Sequence, residues 1–366
     1  MNAHDEVAAA ILRAAAHPRA ELRLLGRLND PLVGNGGNRR DVFFFVPDLH
    51  LLSARARARY GYGFNHEPGA LLARVLGELA GLAESWDDSG RHKLVAIQLG
   101  DFFDLWRELG PVNPISSIAD DAHGALRDLL YRGVHRGRPC LKATMLLGNH
   151  DTQSGVPLPE IPFQLKAFNR SADERPFLFA THGDAFDVLE NVVPDPIQEF
   201  VVYFLGTLHA ASKYPVGSWG GAAAWVNRPP SELGQAITQP DHALATEGAV
   251  AAAPGAALPD RLCEIVEPDH GEHRFADFYR AIGQAALAYP SASALRVAVC
   301  GHTHHAALLL CEPPAGRPLV LLDAGAWIER CTYTTDDGEE RTEPSAQLGV
   351  IHGNDVRLYQ ISFPAP

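Results

Sequence analysis

The chain has 366 residues, 46% hydrophobic and 20% charged, which excludes a disordered chain and fits one large domain or two ordinary ones. A formal net charge of −13 excludes bulk nucleic acid and anionic membrane surfaces as partners, while a small anionic substrate in a locally reversed field stays open. Five cysteines with no C-x-x-C spacing argue against a disulfide framework or a cysteine zinc site and for a reducing compartment.

In chain order, residues 5–28 have the spacing of an amphipathic, Ala-rich helix, so residues 1–40 are expected to form an N-terminal helical extension. This start lacks the basic stretch and apolar run of a signal peptide. No segment reaches the roughly 18 consecutive apolar residues of a membrane span, so a cytoplasmic protein is expected. "DPLVGNGGNRR" (30–40) is a turn-rich connection whose glycines lack a following Gly-Lys-Ser/Thr. "DVFFFVPDLH" (41–50) then reads as a buried strand running into polar residues. The same phrase recurs: "KLVAIQLGD" ends at Asp101, "KATMLLGNHD" at Asn149, His150 and Asp151, "PFLFATHGD" at His182 and Asp184, and "LRVAVCGHTH" at His302 and His304. Short continuous apolar runs mark strands covered on both faces. Helical spacing at 68–86 and 119–133 alternates with them, which predicts an α/β layered fold.

Over 188–294 the pattern changes to apolar and aromatic residues broken by Pro and Gly, an Ala/Gly/Pro-biased loop at 243–260, and a helix at 275–289. This predicts a mostly helical insertion that splits the core into 41–187 and 295–366. The last part adds strands at "LVLLDAGAW" and "QLGVIHGNDVRLYQIS", the second turning at Gly-Asn-Asp.

Strand ends of a layered α/β fold can converge on one edge of the sheet. Taken singly, the clusters have ordinary explanations. Asp-Leu-His is a cap and a surface histidine, Gly-Asp a turn, and Asp151 a helix N-cap. Together, Asp48, His50, Asp101, Asn149, His182, His302 and His304 offer carboxylates, imidazoles and an amide. That donor set suits Mn²⁺, Fe or Zn²⁺ better than Ca²⁺ or Mg²⁺. The donors outnumber what one metal takes, so two divalent ions are expected, Mn²⁺ first and Fe or Zn as alternatives. In Gly-His-Thr-His, alternate residues of an extended segment point apart, so the chain must turn, and Gly301 is expected to supply that freedom.

The ordered set "DLH", "GDFFD", "GNHD", "HGD" and "GHTH" resembles the signature of the calcineurin-like metallophosphoesterase superfamily, over roughly residues 41–187 and 295–330. "GDFFDLW", "THGDAFD" and "GAWIERC" resemble the branch that contains UDP-2,3-diacylglucosamine diphosphatase. Leu105-Trp106 stands where protein Ser/Thr phosphatases of that superfamily have Arg-Gly. His150 stands where the best-characterised lipid diphosphatases carry Arg.

The resemblance implies an α-β-β-α metallophosphoesterase sandwich. It implies a hydrolase that splits a phosphodiester or pyrophosphate through a metal-bridging hydroxide, on a small, nucleotide-linked or lipid-linked phosphate ester. In this reading Asp48, His50 and His304 hold one metal, Asn149, His182 and His302 hold the other, and Asp101 bridges them. His150 protonates the leaving oxygen, and Asp151 beside it raises the imidazole pKa. A nuclease or cyclic-nucleotide phosphodiesterase, or a catalytically silent binding scaffold, are the alternatives.

Other groups have weaker signals. Arg55 and Arg59 of "ARARARY" (54–60) share a helix face directly after the first motif and are candidates for phosphate binding, with a solvated face as the alternative. Arg107 is a further candidate. Asp104, Asp184 and Asp187 are expected to support ligand histidines or to cap. His66, His123, His135 and His305 are expected to be structural or solvent-facing. The aromatic stretch 198–225 is expected to be helix core, a homodimer seam, or a lid over an apolar ligand tail.

Overall fold

The computed structural model describes residues 2–15, 21–29, 40–56, 66–108, 118, 124–135, 138–139, 141, 143–153, 156–157, 165–169, 176–186, 276–288, 295–311, 318–327, 331–334, 340–343 and 346–362. The expectations for Arg59, His123, Asp187, the aromatic stretch 198–225 and most of the insertion lie outside the described residues.

The fold is mixed α/β, built on two mixed sheets. The first contains β1 (Glu21–Asn29), β2 (Asp41–Val46), β3 (Lys93–Gln98), β4 (Ala143–Met145), β10 (Gln347–His352) and β11 (Asp355–Ser362), in the order β1-β11-β10-β2-β3-β4. The second contains β5 (Leu165–Asn169), β6 (Pro176–Thr181), β7 (Val297–Cys300), β8 (Ala307–Cys311) and β9 (Leu319–Asp323), in the order β8-β9-β7-β6-β5. The parallel strands are β2-β3-β4 at one end of the first sheet, followed by antiparallel strands from β10 on, and β6-β7-β9 in the second, with an antiparallel strand on each side. The expected turn at Gly-Asn-Asp joins β10 to β11, with Gly353 and Asn354 between them.

Strand residues alternate between faces, and both faces are covered. In β2, Val42, Phe44 and Val46 join a core with the helices α1 (Ala3–Ala15) and α2 (His66–Ser89). Phe43 and Phe45 instead meet Phe177, Val297, Val299, Val320 and Leu322, which places a second core between the sheets. On the second sheet, Phe179, Ala298, Leu309 and Leu321 face α3 (Ala276–Ala288) through Tyr279, Ile282 and Ala286. Helix α3 matches the helix expected over 275–289 and packs on this sheet. Each fully buried Leu, Ile or Phe contributes about 1.5–3 kcal/mol, so these three cores carry most of the fold's stability.

The expected helix over 5–28 is corrected. Helix α1 spans Ala3–Ala15, capped by Asn2, whose Oδ1 accepts the Asp5 N–H at 2.9 Å. Residues 21–29 are strand β1, paired with β11. Pro18 in the sequence is a helix stop that the apolar periodicity overrode. A second departure concerns redox state: Cys311 is disulfide-bonded, whereas Cys300 is a buried thiol. No helix among the described residues is long and apolar enough to cross a membrane.

Candidate metal centre

The parallel strands deliver the site. The segments after β2, β3 and β4 carry Asp48 with His50, Asp101, and Asn149 with His150. Those after β6 and β7 carry His182, and His302 with His304. Backbone bonds tie these segments together. Leu49 and His50 N–H both reach Asp101 O at 2.9 Å, Gly301 N–H reaches His182 O at 3.0 Å, and Trp327 N–H reaches Asp48 O at 2.7 Å.

Among the described residues, His50, Asp101, His302 and His304 are the non-glycine residues with positive φ, at 48°, 48°, 70° and 56°. Such backbone costs roughly 1–3 kcal/mol per residue and gathers where function over-determines it. All four belong to the expected ligand set. The turn at Gly-His-Thr-His is therefore made by the histidines themselves. Gly301 serves a different purpose, because a Cβ there would lie 2.3 Å from Asp48 Oδ1. Gly148 does the same for Asp101, whose Oδ1 would be 2.1 Å from an added Cβ. These glycines make room for the carboxylates.

Two donor groups result. Asp48, His50, Asp101 and His304 each offer a ligand atom within 4.8 Å of all the others, and Asp48 and Asp101 are buried. His50 Nε2 lies 2.9 Å from His304 Nε2, and His304 Nε2 lies 3.3 Å from Asp48 Oδ2. The second group centres on His182 Nε2, which is 3.1 Å from Asn149 Oδ1, 3.3 Å from His302 Nδ1 and 3.4 Å from Asp101 Oδ2. Asp101 Oδ2 is also 3.4 Å from His50 Nε2. One carboxylate oxygen thus sits between both groups.

These buried Asp and His side chains can hold a metal ion. Asp48 Oδ1 is buried without a hydrogen-bond partner, a cost that a nearby cation would offset. The electrostatics fit. Burial holds the His50 imidazole well below its usual range, in the neutral form that ligates metals. Burial also opposes the Asp101 charge, but His182, His150 and His50 overcome it and hold the carboxyl well below its usual range. His182 differs: Asp101 and Asp48 outweigh burial and push its pKa well above normal, so a metal would have to displace that proton to bind there. Its Nδ1 is turned to Leu99 O at 3.0 Å, which leaves Nε2 for the centre.

The surroundings correct two expectations. The partner of His150 is not Asp151. Its Nδ1 lies 2.9 Å from Asp104 Oδ1, and its ring stacks on Trp106 with centroids 4.3 Å apart. Asp151 accepts the N–H groups of Phe103, Gly148 and Phe102 at 2.8, 3.1 and 3.3 Å, and so clasps the Asp101 loop to the Asn149 loop. Burial, with Asp101 adding, pushes its carboxyl up to about 7. Asp104 makes no side-chain cap to the turn it precedes; it pairs with Arg107 and lies 3.6 Å from His50 Nδ1. Arg107, expected to meet phosphate, is buried against that carboxylate. Arg55 is exposed on the turn 54–56.

The residues that the sequence reading missed as supports are Thr303 and Asp323 under the last motif; Asp104 was expected as a support, but its partner His150 was not foreseen. Asp323 did carry a signal, since it ends an apolar run as the ligands do. Comparison with family models, curated proteins and solved structures returned no match to this chain.

Proposed function

We propose that this chain is a metal-dependent phosphoesterase of the calcineurin-like type, with a dinuclear centre that hydrolyses a phosphodiester or pyrophosphate in a small, nucleotide-linked or lipid-linked substrate. The observation that carries this reading is the position of Asp101 Oδ2, 3.4 Å from His50 Nε2 in one donor group and 3.4 Å from His182 Nε2 in the other. A carboxylate shared between a carboxylate–imidazole set and an amide–imidazole set is what a two-cation phosphoryl-transfer site would use. Two mixed sheets with helices against their outer faces support the α-β-β-α sandwich of that superfamily.

Asp48, His50 and His304 would hold one divalent cation, Asn149, His182 and His302 the other, with Asp101 shared. Cations there supply charge neutralisation at phosphate oxygens and acidify water toward neutral pH. The chain's own contribution is proton delivery and orientation. Asp104 takes the Nδ1 side of His150, so a leaving oxygen meets Nε2. The Trp106 face fixes the ring plane. Asp151 fixes the spacing of the loops that carry Asp101 and Asn149.

The test is turnover of bis(p-nitrophenyl) phosphate, pyrophosphates and phosphomonoesters with Mn²⁺. Asp101→Asn and His304→Ala are expected to abolish it. Full activity in either purified variant with metal still bound would remove the assignment.

A further inference from the structure

His302 and His304 carry strained backbone, with φ of 70° and 56°, and something outside the ligand set must hold it. Thr303 lies between them and is buried. Its Oγ1 donates to Asp323 Oδ2 at 2.7 Å and accepts the His305 N–H at 3.0 Å. Asp323 ends β9 and is fully buried. It also accepts the Tyr279 hydroxyl of α3 at 3.0 Å and the Gly325 N–H at 2.9 Å. These partners are not metal ligands. Burial pushes the Asp323 carboxyl up to about 8, against the three hydrogen bonds that favour its charge. An acid kept in so unfavourable a place holds something that an apolar side chain would not.

We propose that Asp323 is a positioning residue of the metal centre, acting through the Thr303 hydroxyl to fix the turn that aims His302 at one cation and His304 at the other. This rests on the metal-centre reading above. Thr303 is the middle residue of the turn, so one hydrogen bond sets the separation of two ligands. Through Tyr279, the same carboxylate couples helix α3 to that turn. Outer partners of this kind tune affinity by orienting the groups that ligate.

The test is calorimetric titration of metal-depleted protein with Mn²⁺, beside the melting temperature of each metal-depleted sample. Thr303→Val keeps the volume and removes the hydroxyl. It is expected to bind Mn²⁺ about 10–100-fold more weakly than wild type, with Thr303→Ser restoring the affinity. Asp323→Ala, where it folds, is expected to match Thr303→Val. A lowered melting temperature with wild-type Mn²⁺ affinity in Thr303→Val would mean that the clasp serves the fold alone, and overturns the proposal. Wild-type protein that binds no Mn²⁺ overturns the metal-centre reading itself and this inference with it.

Discussion

His150 is held on two sides, by the Asp104 carboxylate at Nδ1 and by the Trp106 indole against its face. Trp106 is fixed in turn, since its Nε1–H donates to Thr152 Oγ1 at 3.4 Å and Thr152 donates to Asn149 O at 2.7 Å. The indole therefore links His150 to the loop that carries Asn149. Asp104→Asn preserves shape but removes the charge that orients His150 and compensates buried Arg107. Its kcat on a substrate with a poor leaving group is expected to fall about 10–100-fold, and urea unfolding to show a loss of roughly 3–5 kcal/mol. Wild-type kcat in this variant would remove Asp104 from the mechanism. Which residues gather at the candidate site was legible at this scale because each follows an apolar run. The pairing of His150 with Asp104 was not, because Asp151 adjoins His150 in the chain whereas Asp104 lies 46 residues before it. Three backbone N–H groups claim Asp151, and only the folded loops bring those groups together.

Elements differ in how much of them the sequence shows. β2, β3, β7 and β9 are buried on both faces, so their runs of Val, Leu, Ile and Phe mark them locally. β1 is different. Its leucines fit a helix as well as a strand, and what makes it a strand is pairing with Asp355–Ser362 at the far end of the chain. No local pattern carries that partner. The same corner anchors α1. His4 is buried, with Nε2 3.1 Å from Asp355 O, among Asp355, Arg357 and His352. Burial first, and the Arg357 charge second, lower its pKa from 6.5 to about 4. The folded pKa lies below the unfolded one, so the unfolded chain binds more protons as pH falls below 6.5. The stabilising effect of neutral His4 is therefore complete above pH 6.5 and lost as pH falls toward 4. Near pH 4.5 the loss is about 2–3 kcal/mol. His4→Gln keeps a donor for Asp355 O without titrating. Urea midpoints of the two proteins at pH 7 and pH 4.5 are expected to diverge in wild type's disfavour at the lower pH. Equal pH dependence would show that His4 does not anchor α1 in this way.

Taken as a whole, the molecule places its candidate metal centre across the junction of its two sheets. Asp48, Asp101 and Asn149 follow strands of the first sheet, and His182, His302 and His304 follow strands of the second. Without cations, the sheets are joined by the apolar core between them and by bonds such as Trp327 N–H to Asp48 O. Each cation would add a link between ligands from both sheets, and the unfolded chain holds no such site. Binding to the folded state alone stabilises by about 2.7 kcal/mol at a hundredfold excess over Kd. For a chain of this size that corresponds to a rise of about 3–4 °C in melting temperature. Removing metal with a chelator is expected to lower the melting temperature by that amount, and Mn²⁺ to restore it. Asp101→Asn, which lacks the shared carboxylate, is expected to lose most of the shift. A wild-type protein that elemental analysis shows to contain metal, yet whose melting temperature is indifferent to the chelator, would mean that the centre does not tie the sheets together.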